Sequence, residues 1–512
     1  MKITSYLQSF QRFGVNLGLT RIKKLLAALG NPEQKIPLIH VAGTNGKGSV
    51  SAYLSSVLTT AGYQVGRYTS PHLIAWTERI CLNEQPISET DFLAVLETVK
   101  TTITGNFTEE EIPTLFEVVT AAAWLYFAEK KVDVAVMEVG LGGRLDATNI
   151  KEESLASVIT PISLEHWQVL GDTLTKIATE KAGILKRNCP VFVAPQDSEA
   201  VAVIEQRSTM LNCPTTWVKP ATRLTEKENW AVFIPPNPPL EGGDKSSISP
   251  AVEEGEDGLI PPNSPLEDSP IIPPNPPLKG GDKSSISPAV EEGGDGFIPP
   301  NPPLKGGDKS SIPPAVEEGG DRSSISPAVE EGGNQMSYPL PLLGDVQLTN
   351  SAVAVAVLLY LQEQGWNLSE GVIQEGMGKT RWLGRLQWVQ WRGLSLLLDG
   401  AHNPAAAAAL RQYVDTLPQP VTWIMGILST KEQEKILNTL LRSGDTLYTV
   451  PVPDHSTTPT LELCKMQTQV EACFPCESLE AALERVISGE SSHPTTILCG
   501  SLYLVGYFLS SL

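Results

Sequence analysis

Short apolar runs alternate with helical patterns along most of the chain. Residues 132–139 form a nearly continuous apolar run of the kind that predicts a buried strand. Because strands separated by helices favour parallel sheets, two such series indicate two α/β domains that face a cleft. The predicted strands are 37–42, 132–139, 156–161, 191–194, 394–399, 422–427, 446–452 and 496–499, and the predicted helices are 49–61, 116–129, 350–362, 404–413 and 431–441.

The alternation stops between residues 235 and 334. This segment holds 21 of the 41 prolines, a single aromatic residue (Phe297) and a net charge of −12. It repeats variants of PPNPPLKGGDKSSISPAVEEGG, and no copy has an apolar face that stacking could bury. Proline removes backbone donors and opposes both helices and central strands. We therefore expect a disordered insert, with a proline-rich site for a partner protein as the alternative.

Composition and charge narrow the class of protein. The chain has 512 residues with 38 Lys and Arg against 58 Asp and Glu, so its net charge is −20. This acidic balance argues against nucleic-acid binding. The first thirteen residues lack a signal-peptide core, and the apolar stretch 495–512 reads as a buried strand and a helix rather than a membrane span. Seven scattered cysteines are expected to be reduced thiols in a cytoplasmic protein.

A glycine-rich turn between the first strand and helix carries the strongest chemical signal. Glycine lets backbone amides approach phosphate oxygens, the helix start adds positive potential, and Lys47 supplies a mobile cation. The Ser49 hydroxyl can serve phosphate or Mg²⁺. The turn differs from the usual phosphate-loop pattern because Gly48 separates Lys47 from Ser49. The predicted phosphate-binding residues are Gly43, Thr44, Asn45, Gly46, Lys47, Gly48 and Ser49.

A carboxylate near the end of a predicted strand is the best candidate for a metal ligand. Glu138 lies in the apolar run 132–139, where an unpaired acid would be costly to bury. Mg²⁺ on a nucleotide is held by few protein oxygens, with water completing its shell. From the residues alone, Ser70 is an ordinary turn serine and His166 a lone histidine, so a structural role stays open for both.

At these motifs the sequence resembles the folylpolyglutamate synthase/dihydrofolate synthase family of the Mur ligase superfamily. The resemblance covers residues 1–234 and 336–512, and its motifs are specific. It implies a P-loop-containing, Mur-ligase-like ATP-binding domain over 1–378, interrupted by the insert, and a smaller Rossmann-like glutamate-ligase domain over 379–512. The motifs are LGLTRIKKLLAALGNP, HVAGTNGKGSV, YTSPHL, ERICLN, TLFEVVT, MEVGLGGRLDATN, ITPISLEHWQVLGDTLTKIATEKAGILK, LDGAHNP and CGSLYLVG.

The resemblance also implies roles for individual residues. Lys181 matches a lysine that becomes carbamylated, although an unmodified lysine paired with an acid is the alternative. Three other positions also have structural alternatives. Arg385 could be a surface arginine, Asp399 a helix cap, and residues 114–117 a helix start capped by Thr114. The implied residues are Ser70, Glu138, His166 and carbamylated Lys181 for metal; Lys47, Glu138, His166 and Lys181 for catalysis; Asn350, Arg385, Asp399 and His402 for ATP; and Leu17, Gly18, Leu19, Thr114, Leu115, Phe116, Glu117, Leu145, Asp146 and Ala147 for the pterin or folate.

The sequence departs from the family pattern at four places. Glu165 stands where aspartate is usual, Val346 where histidine is usual and Leu383 where proline is usual. In Ser429-Thr430-Lys431, the aspartate that usually precedes the lysine is missing. The last departure puts a side-chain role of that loop most in doubt.

The implied reaction joins L-glutamate to dihydropteroate or to reduced folates. ATP and Mg²⁺ would activate the carboxylate as an acyl phosphate, with release of ADP and phosphate, and we expect a monomer. A Mur-type ligase of cell-wall precursors, an interaction protein that uses the repeats and a phosphate-loop kinase are the rival hypotheses. Glutamate-dependent ADP release would separate them.

Overall fold

The protein is described by a computed structural model. All described residues belong to one compact unit that joins Met1–Gly243 to Gly333–Leu512. The expected disordered insert falls on residues outside the described part of the chain, and a domain boundary at residue 378 stays a prediction. The described residues are 3–7, 10, 16–236, 335–489 and 494–512.

A mainly parallel sheet forms the first half of the fold. Its order is β4-β3-β2-β5-β1-β6-β7-β8, with β3 and β4 antiparallel at one edge. The central strands are buried on both faces, which explains their continuous apolar runs. Adjacent β1 and β5 end together, with Val41 paired to Glu138. The strands are β1 (Leu38–Ala42), β2 (Val65–Tyr68), β3 (Ile80–Leu82), β4 (Gln85–Pro86), β5 (Val134–Glu138), β6 (Ala156–Ile159), β7 (Val191–Val193) and β8 (Thr215–Trp217).

Helices cover both faces of this sheet. The helix after β1 is almost fully buried, since small residues such as Ser51 and Ala52 let it pack closely. Side-chain caps start several helices; Ser88, for example, accepts a hydrogen bond from the amide of Asp91. The helices are α1 (Ile3–Leu7), α2 (Thr20–Ala28), α3 (Lys47–Thr60), α4 (Glu89–Asn106), α5 (Leu115–Glu129), α6 (Trp167–Leu170), α7 (Leu174–Ala182), α8 (Ser198–Leu211), α9 (Val346–Glu363) and α10 (Glu370–Lys379).

A small antiparallel sheet lies where the proline-rich segment leaves the chain. It has the order β11-β10-β9, with β9 at Thr222–Arg223, β10 at Trp230–Phe233 and β11 at Met336–Pro339. Phe233 pairs with Met336, and both side chains are buried. The segment therefore leaves and re-enters the fold at two facing residues, as the turn of a hairpin does.

A second α/β sheet completes the described part of the chain. Its order is β12-β13-β17-β14-β15-β16, and β12 is its antiparallel edge strand. The stretch 495–512 forms a buried strand and a helix, as predicted, and no described helix is long and apolar enough to cross a membrane. The elements are β12 (Gln387–Trp391), β13 (Leu394–Leu398), β14 (Thr422–Met425), β15 (Thr446–Thr449), β16 (Ala472–Pro475), β17 (Thr496–Cys499), α11 (Pro404–Val414), α12 (Gln433–Leu440), α13 (Thr460–Met466), α14 (Leu479–Ile487) and α15 (Leu502–Ser510).

The predicted strands and helices are confirmed, with small shifts of their ends, but the prediction for the cysteines is wrong at one pair. Cys464 at the end of α13 and Cys473 in β16 form a disulfide, with Cα atoms 5.7 Å apart. The residues are nine positions apart and only the fold makes them neighbours. Cys81, Cys189, Cys213, Cys476 and Cys499 do not take part in this disulfide and keep their thiols.

Replacing residues 234–335 with Asn-Gly should leave the fold intact. The facing pair Phe233 and Met336 needs only a two-residue turn, which Asn-Gly supplies in hairpins. A shorter loop also costs less closure entropy. We expect the thermal unfolding midpoint to stay within about 3 °C of that of the full chain.

The matched control joins residue 230 to residue 339 by the same turn and so removes the buried side chains of β10 and β11. It should lower the unfolding midpoint clearly, because Phe233 and Tyr338 belong to the core. Equal destabilisation by both replacements would contradict the hairpin interpretation. Calorimetry on the three proteins provides the comparison.

Candidate active site

The predicted phosphate loop connects the end of β1 to the start of α3. Gly46 has φ of +92°, in the left-handed region that favours glycine. The amides of Thr44 and Asn45 donate to the carbonyl of Pro161 at 3.0 and 3.3 Å, which fixes the first half of the loop. Lys47 Nζ donates to the Thr44 carbonyl at 3.0 Å. The first amides of α3 lack partners within the helix and are available to an anion.

A buried carboxylate lies beside this loop. Glu138 is 5% exposed; Lys47 Nζ lies 3.9 Å from its Oε1, and the Ser70 amide is 3.4 Å from its Oε2. Burial raises the pKa of Glu138 to about 6, although the charges of Lys47 and Arg385 partly oppose the rise. An under-neutralised carboxylate next to a serine suits a divalent cation that brings its own phosphate and water ligands.

Lys181 and His166 are the predicted ligands of a second metal ion. Lys181 is 5% exposed, and its Nζ donates to the Gly43 carbonyl at 2.7 Å. Burial and then the charge of Lys47 lower its pKa to about 7. As an ammonium ion Lys181 would repel a cation, whereas its neutral amine can accept CO₂. The described residues contain no group of three His, Cys, Asp or Glu placed to hold a metal.

His166, the other predicted ligand of the second metal ion, is only partly buried. Its side chain is 47% exposed and lies 3.7 Å from Glu165 Oε1. The same carboxylate oxygen lies 3.3 Å from His402 Nε2 and 3.1 Å from Lys431 Nζ. Although burial alone would raise the pKa of Glu165, the hydrogen bond from His402 and the charges of His402 and Lys431 hold it well below its usual range. Glu165 thus links the first sheet's loop to residues that follow β13 and β14.

Two asparagines approach the phosphate loop from two directions, and of these only Asn350 was predicted to bind the nucleotide. The buried Asn350 of α9 faces Gly46, where a Cβ would collide with its Oδ1. From the other side, Asn403 caps α11 and exchanges amide hydrogen bonds with Asn45 at 3.1 and 3.4 Å. Val346, the departure from histidine, is an exposed residue at the start of α9.

Asp399 and Arg385 lie together at the carboxyl end of β13. The two Asp399 oxygens accept hydrogen bonds from the amides of Leu386 and Ala401 at 2.9 and 2.8 Å. Burial raises the pKa of Asp399, and the charge of Arg385 opposes the rise. Asp399 therefore holds the loop that carries Arg385, and its predicted contact with ribose stays a prediction. His402 Nδ1 lies 2.8 Å from the Gly400 carbonyl and donates to it in the tautomer protonated at Nδ1.

The residues predicted to bind the pterin gather around one apolar cluster. Leu19, Leu115, Phe116 and Ala147 pack in the same core, and the Phe116 ring lies against Gly140. This arrangement brings the start of α2, the start of α5 and the loop after β5 together. Leu17, Gly18 and Leu145 lie in the same loops, partly or largely solvent-accessible.

The polar members of this set are engaged in local contacts. Thr114 caps α5 through the amide of Glu117, and Glu117 accepts from the Thr114 amide at 2.7 Å and from Arg21 at 3.0 Å. Asp146 accepts from the hydroxyl of Thr148, which in turn contacts His40 Nε2 at 2.8 Å. The structural alternative at Thr114 is therefore present, and these contacts shape the loops around the apolar cluster.

Matches to known proteins agree with this geometry. The Mur ligase middle domain matches residues 41–220, and the dihydrofolate synthetase C-terminal domain matches 385–511. The dihydrofolate synthase/folylpolyglutamate synthase of Bacillus subtilis is 47% identical over 206 residues, 40% of this chain and 48% of that protein. The chain thus matches about half the length of that relative. The probable dihydrofolate synthetase of Schizosaccharomyces pombe is 30% identical over 505 residues, 96% of this chain and 97% of that one.

The chain belongs to the folylpolyglutamate synthase/dihydrofolate synthase family. Its fold resembles that of Mycobacterium tuberculosis folylpolyglutamate synthase complexed with ADP and AMPPCP, with a TM-score of 0.72 and 23% identity over 99% of this chain and 98% of that one. The family and the α/β fold expected from the motifs are confirmed.

Three features of this family member's site were not predicted. Trp382, which follows α10, lies beside Gly48 of the phosphate loop. Arg67 on β2 contacts the Trp382 ring, and Glu165 pairs with Lys431. Glu165 was visible in the sequence as a departure from the family pattern, and Lys431 follows the departure at Thr430. The extra glycine at position 48 was the only signal for Trp382, and nothing in the local pattern marked Arg67.

Glu138→Gln should make the metal-free protein more stable at alkaline pH. The pKa of Glu138 is about 6 in the folded protein and near 4.5 in the unfolded chain. The contribution of Glu138 to the free energy of unfolding is therefore fully present below pH 4.5 and is lost as pH rises through 6. Ionised Glu138 therefore costs about 2 kcal/mol at pH 8. Urea unfolding in EDTA should show the variant gaining about that amount at pH 8 and little at pH 5.

The exposed Glu129→Gln variant is the control and should show no such pH-dependent gain. Lower stability of Glu138→Gln than of the parent protein at pH 8 would contradict the assignment of Glu138 as an under-neutralised buried acid.

Proposed function

We propose that this chain is an ATP-dependent ligase that joins L-glutamate to dihydropteroate or to reduced folates. The observation that carries the proposal is the placement of Lys47 within 3.9 Å of buried Glu138, at the edge where β1 and β5 end. The glycine-rich loop supplies an anion site and the carboxylate supplies a cation site next to it. The names of the Bacillus subtilis and Schizosaccharomyces pombe relatives support glutamate ligation and dihydrofolate synthesis.

The first step activates a carboxylate, which is a poor acyl donor by itself. An acceptor carboxylate oxygen attacks the γ-phosphorus of ATP, and the bond to the β-phosphate oxygen breaks to release ADP. The helix amides, Lys47 and Arg385 would stabilise the charge that develops on the transferring phosphoryl group. Because the Thr44 and Asn45 amides are already held by Pro161, the loop needs little reorganisation.

The second step forms the amide. The α-amine of glutamate attacks the acyl phosphate carbonyl, loses a proton, and inorganic phosphate leaves with the former carboxylate oxygen. Asn45 and Asn403 link the phosphate loop to α11, so the two halves of the fold can close over the reacting groups. Closure would exclude water, which otherwise hydrolyses the acyl phosphate.

Ser70 and Glu138 would hold Mg²⁺ with the nucleotide, and bound Mg²⁺ would neutralise phosphate charge. The complexes of the Mycobacterium tuberculosis protein with ADP and AMPPCP support nucleotide binding at this fold. His166 and a carbamate on Lys181 would hold a second ion. Until Lys181 carries the carbamate, its Nζ instead keeps the Gly43 carbonyl in place.

We further propose a monomeric, cytoplasmic enzyme. Lys47, Glu138, Arg385 and Asp399 all come from one chain, which supports a complete site in a monomer. The apolar cluster around Phe116 would contact the pterin ring system of the acceptor, with Leu19 and Ala147 at its edges. The acidic net charge supports the expectation that nucleic acid is not a partner.

Purified protein should release ADP only when an acceptor and glutamate are both present. We expect activity with dihydropteroate or a reduced folate, and none with cell-wall precursors. Lys47→Ala should lower kcat on the order of 100-fold or more, because one phosphate-facing cation is lost. The exposed Lys35→Ala variant is the matched control. ADP release without glutamate would favour a kinase, and release only with a cell-wall precursor would favour the other ligase class.

Lys181 should carry a carbamate when bicarbonate is present. Its pKa of about 7 makes the neutral amine predominate above that pH, so the modification should grow between pH 6 and 8. Carbon-13 NMR with labelled bicarbonate should detect a carbamate signal that Lys181→Gln abolishes. Exposed Lys176→Gln should keep the signal. A signal that survives Lys181→Gln, or none at pH 8, would contradict the proposed modification.

A further inference from the structure

Trp382 contacts the phosphate loop from a part of the chain that sequence motifs did not connect to it. A Cβ built on Gly48 would lie 2.5 Å from Cζ2, 3.0 Å from Cε2 and 3.2 Å from Nε1 of Trp382. All three nearest atoms thus belong to one indole. The indole therefore occupies the space that any side chain at position 48 would need, which gives a physical reason for the additional glycine.

The same indole also packs against the apolar core around α3 and α9 and against a buried arginine. The Arg67 guanidinium lies 5.1 Å from the centre of the Trp382 ring. Arg67 is 6% exposed, and its Nε and Nη1 have no hydrogen-bond partner in the described part of the chain. Its remaining contacts are an ion pair with Glu84 at 3.4 Å and a hydrogen bond to Cys81 Sγ. A cation this poorly hydrogen-bonded gains from an aromatic face.

Trp382 also lies three residues before Arg385, on the segment that connects α10 to β12. Gly384, between them, is fixed to the second sheet because its carbonyl accepts from the Gly400 amide at 2.9 Å. The Arg385 guanidinium reaches back to Gly400, 2.5 Å from the position of a Cβ there. The segment is therefore anchored at one end to the phosphate loop and at the other to the loop of Asp399.

We infer that Trp382 is a positioning residue that sets the distance between Arg385 and the phosphate loop. Its indole, held against Gly48 and Arg67, fixes the start of the connecting segment relative to the bound phosphates. The inference rests on the proposed contact of Arg385 with the γ-phosphate. It predicts that loss of the indole impairs phosphoryl transfer more than it impairs nucleotide binding.

The kinetic test compares Trp382→Ala with Trp366→Ala. Trp366 packs against the same core, and its ring lies tilted against that of Tyr63 with the ring centres 4.7 Å apart, beyond the end of α3 opposite the phosphate loop. We expect Trp382→Ala to lower kcat about 10- to 100-fold, since a small misplacement of a catalytic group has that effect. The KM for ATP should stay within about threefold. Trp382→Phe keeps an aromatic face and should recover most of kcat. Trp382→Leu keeps apolar bulk without an aromatic face, and it replaces the alanine variant if that one fails to fold.

A double-mutant cycle tests the contact itself. Gly48→Ala should lower the thermal unfolding midpoint of the parent protein, because its methyl group collides with the indole. In the Trp382→Ala background the collision is gone, and alanine is intrinsically better than glycine within a helix, so Gly48→Ala should raise the midpoint. With Trp382→Phe as background, the destabilisation should be smaller than in the parent.

The outcomes separate this inference from the function on which it rests. If Arg385→Ala keeps the parent kcat, the proposed role of Arg385 fails. If Arg385→Ala loses activity while Trp382→Ala matches Trp366→Ala in kcat, the positioning role of Trp382 is overturned. An equal effect of Gly48→Ala in both backgrounds overturns it as well.

Discussion

The backbone of the phosphate loop has almost no free space around it, and the rest of the site depends on that enclosure. At three glycines a Cβ would collide with a side chain from elsewhere in the chain. The colliding pairs are Gly43 with Thr160, Gly46 with Asn350, and Gly48 with Trp382. Each glycine is thus matched to a neighbour, and each neighbour holds the loop in one shape. A loop held this way can bind phosphate through its amides without first reorganising.

The distribution of charge follows from the same enclosure. Lys47 and Lys181 are held against loop carbonyls, and Lys47 lies 3.9 Å from the carboxylate of Glu138. Burial works against both kinds of charge, since it raises the pKa of Glu138 and lowers that of Lys181. A triphosphate would satisfy the lysines and a divalent ion would satisfy the carboxylate. In the proposed complex, the nucleotide and a divalent ion would balance charges that burial leaves only partly neutralised in this site.

Local pattern predicted the strands and the loop because both depend on neighbouring residues. The run 132–139 is apolar since β5 is buried on both faces, and Glu138 stood out against it. Local pattern could not predict β3, β4 and β9, which are only two or three residues long. Nor could it predict the Cys464–Cys473 disulfide, because α13 and β16 meet only in the folded chain.

Contacts between distant segments were the other part that sequence could not supply. Asn45 and Asn403 are 358 positions apart, and Gln347 reaches Ser49 across 298 positions. Neither pair leaves a periodicity or spacing that could reveal it. Gly48 was visible in the sequence as an unexplained additional glycine in the motif, but the sequence did not show which residue occupies the space beside it. Predicting a partner required the fold.

One departure from the family pattern contacts the lysine beside another departure. Glu165 is one methylene longer than the usual aspartate, and it meets Lys431 at 3.1 Å across 266 positions. Thr430 beside Lys431 lacks the carboxylate that usually precedes the lysine, so Lys431 has no acidic neighbour of its own in that tripeptide. The same Glu165 oxygen lies 3.3 Å from His402 Nε2, so one carboxylate is shared by Lys431 and His402. The loop after β14 is therefore joined through Lys431 to the loop after β6, although it lacks the usual aspartate.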